Sequence, residues 1–376
     1  MFNTLALDAG VQDEVELVSL DRAHVLSAEL RPNPRYAFAA SPWLEAWSRS
    51  YLPGQGWRGP VQAYAAFGAQ RCLGFIALAN QRLNGITVKS LGGYYWPYRT
   101  VPVNADEAER ERFARAIAAH FTIYPPSTIL RFGPVAARDE GVRALLAAFH
   151  QENWIGLRKN AGSAFHLELP AKQADIAGMM SSSLYKNIQY LRRRLHKQGL
   201  EIAYERHRLH ERGHALLRDM QKIERASWVS GPGGHPKFVG QAEERFFTAL
   251  TALSECGAQP VVWILRCGEE PIAFSFHIEA GDTIYIVANS YDDQWKSYSP
   301  GSLLTYEVLS DARARGVLHV DWGRGDSGYK SRWGASASEA LCDVLMFRPG
   351  VIGRAAWVLA KRALPDWSCA DDFRSF

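Results

Sequence analysis

The chain has 376 residues, 47% of them hydrophobic and 22% charged, with a formal net charge of +4. That composition excludes a disordered chain, and the length leaves room for two or three ordinary domains. Five widely spaced cysteines with no CxxC pair exclude a disulfide framework and a cysteine-based zinc site. They point instead to reduced thiols in a cytoplasmic protein. The mildly basic balance suits an anionic ligand without demanding nucleic acid. No basic start followed by an apolar core marks a signal peptide, and no apolar run is long enough to span a bilayer.

In chain order, residues 15–20 read as a first strand. Residues 41–51 read as a helix with Ser41 as cap, Pro42 at its first position, and Trp43, Leu44 and Trp47 on a core face. Residues 61–67 and 72–79 form a hairpin, followed by a strand at 87–91. The aromatic segment 92–102 reads as an irregular core edge or a ligand-lining loop. A helix over 106–121, a strand over 128–132 and a helix over 139–151 complete the first half. A short polar run, Lys159–Ser163, marks a boundary there. The expected domains are therefore 1–160, 161–350 and a basic amphipathic tail, 351–376.

The second half opens with a strand at 164–169 and a helix from about 174 to 197. Lys186, Arg192, Arg193, Arg194 and Lys197 crowd that helix, while Ile188, Leu191 and Leu195 sit at core spacing. Such a run is either a solvated face or a phosphate-binding edge. A helix over 210–228 contains His210-Glu211-Arg212-Gly213-His214, which matches HExxH. Gly213 between the histidines weakens the helix, Arg212 sets a cation beside the imagined metal, and no third ligand follows. We therefore expect no metal. Strands at 260–267, 271–279 and 283–288 follow through tight turns as an antiparallel meander. His277 lies on the middle strand, as a base or as a structural histidine.

Two stretches carry the chemistry. With Ser299 as cap, Pro300, Gly301 and Ser302 open a helix whose first-turn amides make an anion site or simply a well-capped start. Residues 317–334 then run from an apolar strand into Asp321, Gly323, Gly325 and Asp326, and end in Tyr329, Lys330, Arg332 and Trp333. A strand that stops at a carboxylate and opens into a glycine-rich loop lets a ligand approach the backbone closely.

With these residues assembled, the second half resembles the GNAT acyltransferase core. It resembles more closely the CelD-like acetyltransferases, relatives of the Fem-type peptidyltransferases. Tyr291-Asp292, Tyr298-Ser299-Pro300-Gly301 with Leu303-Leu304, Asp321, Gly325-Asp326, Tyr329-Lys330 and Trp333-Gly334 carry the resemblance. Glu224 and Ser227-Trp228 echo it, although Val229 stands where the family often has lysine. The resemblance covers about 181–347.

It implies an α/β (α+β) fold of two tandem GNAT-like lobes, each a mixed, mostly antiparallel sheet flanked by helices, the first lobe degenerate. It implies acetyl-CoA or another acyl-CoA as co-substrate, no metal, and direct transfer to an amine or hydroxyl of a sugar, polysaccharide or envelope precursor. Asp321 would be the base, with Asp326 or His277 next, and Tyr329 the acid for the thiolate. Ser299, Gly301, Ser302 and Leu303, helped by Lys330 or Arg332, would hold the pyrophosphate. Glu224, Trp228, Tyr291, Asp292 and Trp333 would face the acceptor. Two alternatives stay open. One is a Fem-type ligase using aminoacyl-tRNA, although no long coiled-coil arm is inserted, so tRNA is not the expected partner. The other is a non-catalytic scaffold bound to envelope-synthesis proteins. The tail, with Val351, Ile352, Trp357 and Leu359 beside Arg354, Lys361 and Arg362, rests on a membrane surface or packs on the core.

Overall fold

A computed structural model describes residues 13–370, apart from 31–37, 39–41, 53, 55, 70, 84, 94–98, 171–175 and 327. The Ser41 cap, residue 70 at the tip of the first hairpin and residues 94–98 of the aromatic segment lie outside the described residues. The first half comprises β1 (Glu14–Val18), α1 (Leu20–Glu29), α2 (Pro42–Tyr51), β2 (Trp57–Gly68), β3 (Arg71–Leu83) and β4 (Ile86–Leu91), then α3 (Glu107–Ile123), β5 (Ile129–Ala136), α4 (Glu140–Gln151) and β6 (Ile155–Glu168). The second half repeats that rhythm. It comprises α5 (Ser182–Lys197), β7 (Ile202–Arg208), α6 (Leu209–Arg225), α7 (Gln241–Ala249), β8 (Ala258–Cys267), β9 (Glu270–Ala280), β10 (Thr283–Tyr291), α8 (Pro300–Arg315), β11 (His319–Arg324) and β12 (Ser336–Phe347). α9 (Val351–Ala363) and β13 (Ser368–Cys369) close the chain.

The strands join one mixed sheet in the order β1-β2-β3-β4-β5-β12-β6-β11-β10-β9-β8-β7, with β13 beside β6. Neighbours are antiparallel except for two pairs, β4 with β5 and β10 with β11. The halves exchange their closing strands: β12 lies against β5 of the first half, and β6 against β11 of the second. The polar run Lys159–Ser163 is therefore not a linker. It lies inside β6, where its backbone pairs with β12. A polar run reads as a boundary in sequence, but ladder hydrogen bonds to a neighbouring strand hold it here.

Periodicity explains the helices. Ser181 caps α5 through Leu184 N–H, and Leu184, Ile188, Leu191 and Leu195 form its buried stripe. These pack with Leu303, Leu304, Val308 and Leu309 of α8 on one face of the sheet. On the other face, α6 and α7 share a core with α1, α2, β2 and β3 of the first half. Trp43 meets Phe246 edge-on at 5.2 Å, and Arg245 donates to the Ser50 carbonyl at 3.1 Å, so the helices of the two halves are clasped directly. The HExxH run fails as a metal site for a structural reason: Arg212 leaves helical geometry (φ −143°, ψ 25°), which breaks the helix between the histidines. Among the described residues no cluster of His, Cys, Asp and Glu is arranged to hold a metal. No described helix is long and apolar enough to cross a membrane.

Candidate active site

β10 and β11 run parallel only from Thr283 opposite His319 to Tyr285 opposite Asp321. Beyond that point they part, and β10 carries a bulge between Ile286 and Ala288. Parting strands leave backbone carbonyls without ladder partners, and two lysines supply donors. Lys330 Nζ donates to the carbonyls of Trp322, Gly323 and Arg324 at 2.7, 3.1 and 2.9 Å. Lys237 Nζ donates to the Val287 carbonyl at 2.7 Å. Burial lowers the pKa of both ammoniums, Lys330 to about 8, against the opposing pull of Asp321 and Asp326 on Lys330 and of Glu224 on Lys237. Glu224 fixes the loop that delivers Lys237. Its buried carboxylate accepts the amides of Lys237 at 3.0 Å and Phe238 at 2.8 Å.

Asp321 sits where the strands begin to part. Register puts Tyr285, Asp321, His166 and Ser336 side by side on one face. Asp321 is buried, its Oδ2 lies 2.9 Å from His166 Nε2, and its Oδ1 accepts the Gly323 amide at 2.7 Å. Ser338 Oγ meets the other ring nitrogen, His166 Nδ1. A cleft of about 910 Å³ opens here, lined by Phe38, His166, Tyr285, Asp321, Ser336 and Ser338 among others. An imidazole held by a buried carboxylate can accept a proton from a bound nucleophile, and the carboxylate stabilises the resulting imidazolium.

The opposite face holds α8. Tyr329 packs there, its ring against Trp322 and Trp333 and its hydroxyl 2.6 Å from Thr305 Oγ1 of α8. Burial raises its pKa and keeps the phenol protonated, as a proton donor must be. Asp321 and Tyr329 thus flank β11 from opposite sides.

Several expected site residues do other work. His277 is not in the cleft. It is fully buried, its Nε2 lies 3.1 Å from Glu279, and Glu279 also accepts from Arg206 and Arg315, so it anchors an ion network. Burial lowers the His277 pKa. Asp326 is a cap: its oxygens accept the amides of Lys330 at 2.7 Å and Ser331 at 3.0 Å. Burial pulls the carboxyl up most strongly of any one effect, but these bonds together outweigh it and hold the carboxyl below its ordinary value, which suits a base poorly. Trp333 is buried in the α8-side core, and Asp292 is a buried cap that accepts the Gln294 amide, so neither is presented to an acceptor. Trp228 is exposed, and so is Arg332.

Ser299 does not cap α8 with its side chain. It adopts a left-handed backbone (φ 46°), and its carbonyl takes the amides of Ser302 at 2.9 Å and Leu303 at 3.2 Å. The first turn of α8 contains no acidic residue, and the ring of Tyr291 lies against Gly301. With no acid in its own first turn, this end of the helix remains electropositive.

His166, Ser338 and Lys237 were not read from the sequence. His166 and Ser338 look like ordinary residues of strands, and only strand register brings them to Asp321. Lys237 follows a glycine-rich loop with no motif of its own.

Comparison with known proteins fits this geometry. Residues 182–331 match the family described as an acetyltransferase (GNAT) domain. No curated protein matches the sequence. Among solved structures the chain is similar to FemX, at 11% identity over 92% of this chain and 99% of that one, with a TM-score of 0.58. It is similar to the tandem GNAT protein from the clavulanic acid biosynthesis pathway at 11% identity, over 90% of this chain and all 100% of that one, with a TM-score of 0.50. It is also similar to L-PGS from Bacillus licheniformis at 11% identity, over 95% and 98% of the two chains, with a TM-score of 0.50. At such identities the likeness concerns the fold, which is that of two tandem GNAT-like lobes.

Proposed function

We propose that this protein is an acyl-CoA-dependent N- or O-acyltransferase. It transfers an acyl group, acetyl first among those to test, directly to an amine or hydroxyl of a sugar, polysaccharide or envelope precursor. The observation that carries this reading is the Asp321–His166 pair facing a cleft at the point where β10 and β11 part. The uncovered start of α8 would take the pyrophosphate, through the Gly301 amide and the helix dipole. Six strand positions separate Tyr285 from Tyr291, beside which α8 begins. At roughly 3.3 Å per residue that is about 20 Å, the span of an extended pantetheine arm. The thioester carbonyl would then lie between the parting strands.

On the cleft face His166, held by Asp321, takes the proton of the attacking amine or hydroxyl. On the α8 face Tyr329 gives its proton to the departing thiolate. The Lys330 ammonium lies beside Asp321 and would lower the energy of negative charge developing on the acyl oxygen. The test is thiol release from acetyl-CoA in the presence of amino-sugar and sugar-alcohol acceptors. Acceptor-dependent release that collapses in Asp321→Asn supports the reading. Release that Asp321→Asn leaves unchanged removes the pair as the base.

A second reading, an aminoacyl-tRNA-dependent ligase, draws on the exposed Lys186, Arg193 and Lys197 of α5. Two other cations of that helix are engaged: Arg192 pairs with Glu307, and Arg194 stacks on Tyr298 at 4.5 Å. Tight, salt-dependent tRNA binding without acyl-CoA binding would favour the ligase. Silence from both ligands would favour a scaffold.

A further inference from the structure

Ser338 stands where the pairing of β12 with β6 slips. Ala337 opposes Phe165 and Glu339 opposes Ala164, which leaves Ser338 as the extra, bulged residue. Bulges re-aim side chains and recur beside active sites. Here the bulge sets Ser338 Oγ against His166 Nδ1, while His166 Nε2 faces the buried Asp321 carboxylate at 2.9 Å. The Gly323 amide holds the second oxygen of that carboxylate at 2.7 Å. A surface serine touching a histidine is unremarkable by itself. A serine on an imidazole backed by a buried, oriented carboxylate, with all three lining one cleft, has the connectivity of an activated nucleophile. We propose that Ser338 is a nucleophile and that this cleft also cleaves carboxylic esters through an acyl-serine.

Ser338 Oγ attacks the ester carbonyl and its proton passes to His166. The tetrahedral adduct collapses, the alkoxide leaves with that proton, and the acyl group stays on Oγ. Water, deprotonated by His166, then releases the carboxylic acid and restores the serine. This proposal shares His166 with the transfer reading but needs no acyl-CoA. The test uses the whole protein with 4-nitrophenyl acetate. Nitrophenol release and an acetyl adduct on the peptide holding Ser338, seen by mass spectrometry after acid quench, are expected. Ser338→Ala should lose the adduct and about a thousand-fold in ester turnover, with its near-ultraviolet circular dichroism unchanged. His166→Gln should lose the adduct too. Ester turnover equal in wild type and Ser338→Ala, with no adduct on that peptide, would overturn the proposal. Thiol release from acetyl-CoA is measured in parallel. Transfer that survives in Ser338→Ala while ester turnover is lost keeps both readings, and ester cleavage without any acyl-CoA use keeps this one alone.

α9 carries an independent observation. Its inner side, with Gly353, Ala356, Trp357 and Ala360, packs toward Leu157, Leu345 and Phe347. Its outer side leaves Val351 85%, Ile352 59%, Val358 40% and Leu359 65% exposed. Helical spacing groups these four on one stripe. Arg354, Lys361 and Arg362 are exposed along the same helix, which contains no acidic residue. The nearby Asp366 pairs with Lys159. Apolar exposure with only positive charge beside it complements a bilayer surface carrying anionic headgroups. We infer that α9 docks this protein on such a surface. Sedimentation with phosphatidylcholine vesicles containing phosphatidylglycerol should carry the protein down, and pure phosphatidylcholine should do so at least ten-fold less. The triple variant Val351→Ser, Ile352→Ser, Leu359→Ser should weaken anionic-vesicle binding at least ten-fold. Equal binding to both vesicle types, no binding, or a concentration-dependent dimer that the triple variant abolishes without any vesicle binding would overturn this.

Discussion

The two halves of the molecule start from one plan and end with opposite electrostatics. Each sets a parallel strand pair beside a long helix: β4 and β5 with α3, β10 and β11 with α8. In the first half, among the described residues, the Arg99 side chain occupies space past the end of β4. Arg99 donates to the carbonyls of Gly93 at 2.9 Å and Gly133 at 2.5 Å, and burial together with the charge of Arg131 pushes its pKa down to about 10. Arg131 in turn grips the Asp343 carboxylate and Gln81. Among the described residues, the cavity between Arg99, Trp43 and Gly92 is about 10 Å³, room for no more than one water. In the second half the cleft beside Asp321 is about 910 Å³. The helix starts differ as sharply. Asp106 caps α3, and Glu107 and Glu109 fill its first turn, whereas α8 begins with proline, glycine and serine. A carboxylate-lined helix start repels a pyrophosphate, and a bare one attracts it. On the proposed reading the frame alone confers no site, and filling and charge decide which half keeps one.

The largest expected effect comes from removing what only the second half has. Asp321→Asn keeps the shape but leaves His166 without its counter-charge, and kcat/KM for acyl transfer should fall about a hundred- to ten-thousand-fold. Steady-state thiol release, with circular dichroism to confirm folding, checks this. Next, Gly301→Asp would give α8 the charge that α3 has. A Cβ at Gly301 meets only the Tyr291 ring at 3.4 Å, so the variant fits. Acyl-CoA affinity should fall at least ten-fold while the melting temperature moves little.

A smaller effect is a pH dependence. Lys330 is cationic below about 8 and loses its proton above that value. The falling limb of kcat/KM should therefore lie near pH 8 and be absent from whatever activity Lys330→Met retains. The smallest effect on activity comes from opening the filled half. Arg99→Ala strips donors from two carbonyls and should cost about 2 kcal/mol of stability in urea, yet leave acyl-CoA affinity unchanged. A new acyl-CoA site in that variant would show that filling alone silenced the first half.

Much of this was legible in the sequence because it is local. The apolar run ending at Asp321, the helix opening at Pro300-Gly301-Ser302 and the stripe Ile188, Leu191, Leu195 each declare themselves within one element. What the sequence hid depends on register. His166 lies 155 residues before Asp321, and only the β6–β11 pairing makes them neighbours. Ser338 reaches His166 through a bulge that no local pattern announces. Tyr329 and Asp321 are eight positions apart yet fall on opposite faces of the sheet, because β11 alternates and the following turn folds back toward α8. His277 reads as a base or as a structural histidine, and only Glu279, Arg206 and Arg315 around it show the structural one. The strand exchange was hidden for the same reason, since Lys159–Ser163 has loop composition and is held as a strand by its pairing with β12.

The most direct measurement is isothermal titration of acetyl-CoA into the wild-type protein and into Gly301→Asp. Micromolar binding to the wild type, at one site per chain, that weakens at least ten-fold in the variant is the expected result. Undetectable binding to the wild type, or equal binding to both proteins, would contradict the claim that the bare start of α8 makes the second half the working one.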